Sequence, residues 1–75
     1  MSLAVNGPAI RAIREAQRIN IADLAKEIGV SRSYLAKIEL GHRKKVGLDV
    51  VAALERALLL TDRRAILASP FPEAD

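Results

Sequence analysis

The 75-residue chain contains no cysteine, which excludes a disulfide framework, a Cys-based zinc site and a thiol nucleophile. Tryptophan is absent as well, and one Phe and one Tyr make up the whole aromatic content, so a core must be built from aliphatic side chains. Twenty-two Val, Ile and Leu residues are there to build it, with thirteen alanines. Alanine has the strongest intrinsic helix preference and is depleted in strands, which points to a helical core. Long apolar runs are also missing. The stretch 46–60 is interrupted by Asp49, Glu55 and Arg56 and falls short of the roughly 20 residues that a membrane span needs. Residues 1–7 lack the basic n-region and apolar h-region of a secretory signal. The expected location is therefore cytoplasmic, with no membrane partner. At this length the chain is expected to be a single domain, 1–75, with 1–7 as an N-terminal arm and 69–75 as a C-terminal tail. Without staples, a domain this small depends on helix caps and tight packing.

The net charge is +3, but its distribution is more informative than its sum. Residues 32–45 carry Arg32, Lys37, Arg43, Lys44 and Lys45 against the single acid Glu39, while the rest of the chain totals −1. A positive field confined to one stretch is the footprint of a polyanion partner, most often nucleic acid. A solvated surface face is the other reading of such a cluster.

Pro8 suits the first position of a helix, where its missing N–H costs nothing, and the spacing of Ile10, Ile13 and Ala16 or Gln17 predicts a helix over 9–18. Asn20 then reads as the N-cap of a second helix, 21–28, with Asp23 as a short-armed capping-box acid and Ile19 and Leu24 as a hydrophobic staple. Gly29 ends it, because glycine takes the left-handed conformation without strain. Ser31 caps a third helix with Leu35 and Ile38 inward, which stops near Leu40 at Gly41. Residues 42–47 read as a basic loop. A fourth helix, 48–59, has Leu48, Val51, Leu54 or Ala52, and Leu58 as its inward stripe, and Thr61 is placed to cap a last short helix over 62–68. Pro70 and Pro72 end regular structure. The resulting fold class is all-α, a compact bundle of about five short helices.

The segment IADLAKEIGVSRSYLAKIELG, residues 21–41, resembles the helix-turn-helix of the Cro and repressor family, the XRE type. The match lies in Leu24, Ala25, Ile28, Gly29, Val30, Ser31, Leu35, Ile38 and the Ile-Glu-x-Gly ending at Gly41. It extends outward to Ile10 and Arg14 and to the spaced leucines and valine of 48–58. Two helices that cross at about 90 to 120° through a short turn require these residue types on physical grounds too. Ala25 leaves room where the backbones approach, Gly29 reverses the chain, and Leu24, Ile28, Leu35 and Ile38 fill the corner.

The resemblance implies a lambda-repressor-like DNA-binding domain whose third helix lies in the major groove of double-stranded DNA. The base-reading candidates are then Arg32, Ser33 and Lys37. Arg32 can pair bidentately with guanine O6 and N7, Lys37 can reach the same acceptors as a point charge, and Ser33 serves either base type. His42, Arg43, Lys44 and Lys45 fall where the family carries DNA-backbone contacts. Tyr34 either donates its hydroxyl to a phosphate or packs under the second helix. The family often begins its second helix with Gln, and this chain has Ile21 instead. Asn20 is the candidate that remains for that phosphate contact. The resemblance also sets Arg14 against Glu39 as a structural ion pair between the first and third helices.

The function expected from this reading is sequence-specific transcriptional regulation by a small phage Cro-like protein or short repressor. An antitoxin of a toxin–antitoxin pair and a protein-interaction module are the alternatives. An enzyme is not expected, since no catalytic constellation is present, and no cofactor or metal is implied. With no appended sensing domain, regulation would follow protein concentration. A palindromic operator and a homodimer, at least on DNA, are expected because one such unit reads few base pairs. Leu59, Leu60, Ile66, Leu67 and Phe71 supply a dimer patch, or else Leu58, Ile66 and Leu67 close a monomeric core over which Phe71 packs back.

Overall fold

Each of the first three helices begins on a side chain that accepts a backbone N–H. In the computed structural model, which describes residues 1–68, Asn6 caps α1 (Gly7–Ala16), Asn20 caps α2 (Ile21–Ile28) and Ser31 caps α3 (Arg32–Glu39). These caps satisfy donors that a helix start otherwise leaves unpaired. The α2–α3 corner turns at Gly29, whose φ of 80° is left-handed. Helix α4 (Leu48–Ala57) follows a glycine N-cap with no side-chain bond, and Arg63–Ala65 forms a single 3₁₀ turn. The core is aliphatic throughout. Ile10, Leu24, Leu35, Ile38, Val51, Leu54, Leu58 and Ile66 are fully buried, drawn from α1 to α4 and the segment after the 3₁₀ turn.

The all-α expectation is corrected by a small antiparallel sheet of β1 (Ser2–Ala4) and β2 (Lys45–Gly47), with Leu3 opposite Val46. Val46 points into the core while Lys45 stays exposed, the alternation a strand imposes. Strands this short carry too little pattern to be read from sequence. The same N-terminal segment also reaches the last described residues. Asn6 N–H donates to the Ile66 carbonyl at 2.8 Å and Ala68 N–H to the Ala4 carbonyl at 3.0 Å. The second of these bonds works against the helix expected over 62–68, of which only the 3₁₀ turn forms: the Ala68 N–H, which a helix would donate to the Arg64 carbonyl, is committed to the N-terminal segment. The cap is Asp62, which accepts from Arg64 N–H, rather than Thr61. There are thus four α-helices among the described residues, not five.

Two other expectations shift. Helix α1 starts at Gly7 and ends at Ala16, since Arg18 adopts a left-handed φ of 59°. Leu48, expected in the inward stripe of α4, is 41% exposed, because it stands at the first position of the helix beside the sheet.

Candidate nucleic-acid interface

Helix α3 lies with Leu35 and Ile38 fully buried and with Arg32, Ser33 and Lys37 exposed. The inward pair fixes the rotation of the helix, so the three base-reading candidates share its solvent side, with half-buried Ala36 between them. After Glu39 the chain turns at Gly41, φ 81°, and doubles back. The N–H groups of both His42 and Arg43 donate to the Lys37 carbonyl, at 2.9 and 3.1 Å. The basic segment is thereby tied to the end of α3. Beyond it, β2 holds Lys45 in a strand, and Ser2, paired with Gly47, lines one shallow cleft together with residues 42–47.

Four ion pairs join described residues: Arg11 with Glu15, Arg14 with Glu39, Arg63 with Glu55 and Arg64 with Asp62. None of them involves Arg32, Lys37, Arg43, Lys44 or Lys45. Those cations remain available to a polyanion along one continuous run from α3 to β2. Tyr34 is half-buried, and the Arg43 guanidinium stands 5.5 Å from the centre of its ring. This stack was not legible in the sequence, because nine positions separate the two residues and no periodicity links them.

The one acid in this stretch is turned away from the surface. Glu39 accepts from Arg14 Nε at 2.8 Å and from Arg14 Nη2 at 3.0 Å, in a bidentate pair whose side chains are only 10% and 4% exposed. Arg14 Nη1 donates in addition to the Ile19 carbonyl at 2.8 Å, so one guanidinium joins α1, the α1–α2 turn and the end of α3. Its hydrogen bonds to Glu39 raise the Arg14 pKa, against the opposing effect of burial. No buried side-chain polar atom among the described residues lacks a partner.

Asn20 is more committed than its candidacy suggested. Its Oδ1 accepts from Asp23 N–H at 2.8 Å, and its Nδ2 donates to Asp23 Oδ2 at 3.0 Å. The capping box therefore closes side chain to side chain, and a carboxylate already occupies the start of α2. Ile21 beside it is half-buried and bounds a shallow cleft of mixed character with Ala36, Leu40, Arg11 and the Arg14–Glu39 pair. Among the described residues no three His, Cys, Asp or Glu side chains converge to hold a metal ion. No helix there is long and apolar enough to cross a membrane.

Comparison with known proteins gives this geometry a family. The helix-turn-helix family model matches residues 10–61. The restriction-modification controller protein C.AhdI from Aeromonas hydrophila is 32% identical, with 79% of this chain and 86% of that one covered at a TM-score of 0.71. The clp gene regulator ClgR from C. glutamicum is 29% identical over 73% of this chain and 70% of its own, with a TM-score of 0.66. SinR, the master regulator for biofilm formation solved in complex with DNA, shares the fold at 22% identity, with 79% and 95% coverage and a TM-score of 0.71. No curated protein matches the chain. Because the matched span takes in the α2–α3 corner and every cation from Arg32 to Lys45, the chain belongs to the helix-turn-helix family, in its XRE type.

Proposed function

We propose that this protein is a sequence-specific, double-stranded DNA-binding transcriptional regulator that acts in the cytoplasm as a single-domain unit. The observation that carries the reading is the continuous run of uncommitted cations from the exposed face of α3 into β2, with the only acid of that stretch neutralised in the interior by Arg14. The printed names of C.AhdI, a controller protein, and ClgR, a gene regulator, support regulation as the outcome of binding. Arg32, Ser33 and Lys37 read base edges in the major groove, while His42, Arg43, Lys44 and Lys45 neutralise phosphates and fix the register. Asn20 is an auxiliary backbone contact, through the amide hydrogen that Asp23 does not use.

Two copies bind a palindromic operator, with their α3 helices about 34 Å apart on successive major-groove faces. Leu59 favours this reading, being 82% exposed at the end of α4. Leu60 and Leu67 are half-buried nearby in sequence, whereas Ile66 is fully buried and belongs to the core. Phe71 lies outside the described residues. Selection of bound sequences from a random duplex pool at near-physiological salt tests the proposal. A palindromic consensus is expected. Absence of enrichment over bulk DNA would overturn it in favour of a protein-interaction module or an antitoxin whose partner is a protein.

A further inference from the structure

Tyr34 and Arg43 form a unit that neither the family match nor the charge pattern assigns. The guanidinium carbon of Arg43 lies 5.5 Å from the Tyr34 ring centre, within the range at which a cation is attracted to an aromatic face. The ring is itself fixed. Tyr34 stands at the third position of α3, its N–H donates to the capping Ser31 Oγ at 3.0 Å, and its side chain packs against the aliphatic core. The Arg43 backbone is fixed as well, through the bond from its N–H to the Lys37 carbonyl one turn further along α3. Only the long Arg43 side chain is free to wander, and the ring is what it rests on. Among the described residues no carboxylate pairs with it.

We infer that Tyr34 is a positioning residue for phosphate binding, and that it works through its ring face, which holds the Arg43 guanidinium in place, rather than through its hydroxyl. The inference rests on the DNA-binding reading above and refines it. Guanidinium is planar and weakly hydrated, so it can stack on one face while its edge N–H groups point at a phosphate oxygen. Holding the fork in advance lowers the conformational entropy lost on binding. Because the platform is part of α3, the phosphate anchor and the base-reading face move as one body.

The test is a double-mutant cycle read as affinity for a mixed-sequence duplex of about 20 base pairs, where phosphate contacts dominate. Circular dichroism first establishes that each variant is folded. Tyr34→Phe removes the hydroxyl and keeps the ring, so its affinity is expected within about twofold of the parent. Tyr34→Leu removes the platform and is expected to lose about 2- to 5-fold, the equivalent of one exposed cation–π contact. In an Arg43→Ala background the same Tyr34→Leu change is expected to do nothing further. In the free protein, upfield ring-current shifts of the Arg43 side-chain protons are expected in the parent and in Tyr34→Phe but not in Tyr34→Leu. A Tyr34→Phe loss as large as that of Tyr34→Leu overturns the inference in favour of a hydroxyl contact. An additive cycle overturns it while leaving DNA binding intact. A parent protein that binds no duplex overturns both.

Discussion

Gly7 occupies a place where no side chain fits. A β-carbon there would lie closer to the Ile38 carbonyl oxygen than any carbon can, and 2.9 Å from that of Glu39. The start of α1 therefore rests directly on the backbone at the end of α3. Gly7→Ala is expected to destabilise by about 3 kcal/mol, the upper end of ordinary overpacking, read as a lower urea midpoint. One turn after Ile10 on the same helix, Arg14 makes the second tie to α3. Removal of either partner of its pair with Glu39 leaves a buried charge alone, so Arg14→Met or Glu39→Gln is expected to cost about 3 to 5 kcal/mol, with the double replacement costing much less than the sum. A cycle with no coupling would refute a structural role for the pair. On the exposed face the expectations concern DNA. Arg32→Ala should cost about 1 to 3 kcal/mol on the preferred site and relax selection at one base pair, whereas Lys44→Ala should weaken specific and random duplexes alike and reduce the salt slope by about one. An unchanged consensus for Arg32→Ala would show that α3 does not read bases through this residue.

Helix α2 was legible at both ends and α3 at its start, with its end within about one residue, because chemistry marks these positions. Asn20 and Ser31 accept a backbone N–H, and Gly29 takes the left-handed turn. The ends of α1 and α4 were not legible, since each passes through a left-handed residue that is not glycine: Arg18 at φ 59° and Leu59 at φ 56°. L-residues disfavour that conformation by about 1 to 2 kcal/mol. Arg18→Gly relieves the strain at a position already exposed, less the larger entropy that glycine loses on folding. It is expected to stabilise by about 0.5 to 1 kcal/mol, seen as a rise of a few degrees in Tm; a fall in Tm would mean that the Arg18 side chain contributes more than its backbone costs. The sheet and the 3₁₀ turn escaped sequence reading for a different reason. Both are decided by backbone partners more than forty positions away in the chain, and no local pattern encodes those. The Arg14 pair was reachable through family resemblance, while the Tyr34 stack had no signal in the sequence at all.

At the scale of the whole molecule, the prediction concerns assembly. Sedimentation of the protein on its selected full-length operator is expected to give two chains per duplex, bound cooperatively because DNA raises the local concentration of the second copy. One chain per duplex at saturation would exclude the dimer. The placement of the N-terminal segment has a further consequence, for the order in which the fold is completed. Residues 2–6 precede in the chain every segment they bond to, since their partners are 44–47 and 66–68. The α2–α3 corner closes through neighbours in sequence and can form early, whereas pairings of such high contact order come late. The strand that holds Lys45 opposite Ala4 thus gains its last partners only when residue 68 has left the ribosome. A chain stalled short of that point would carry a formed helix corner beside an incompletely anchored phosphate-binding edge.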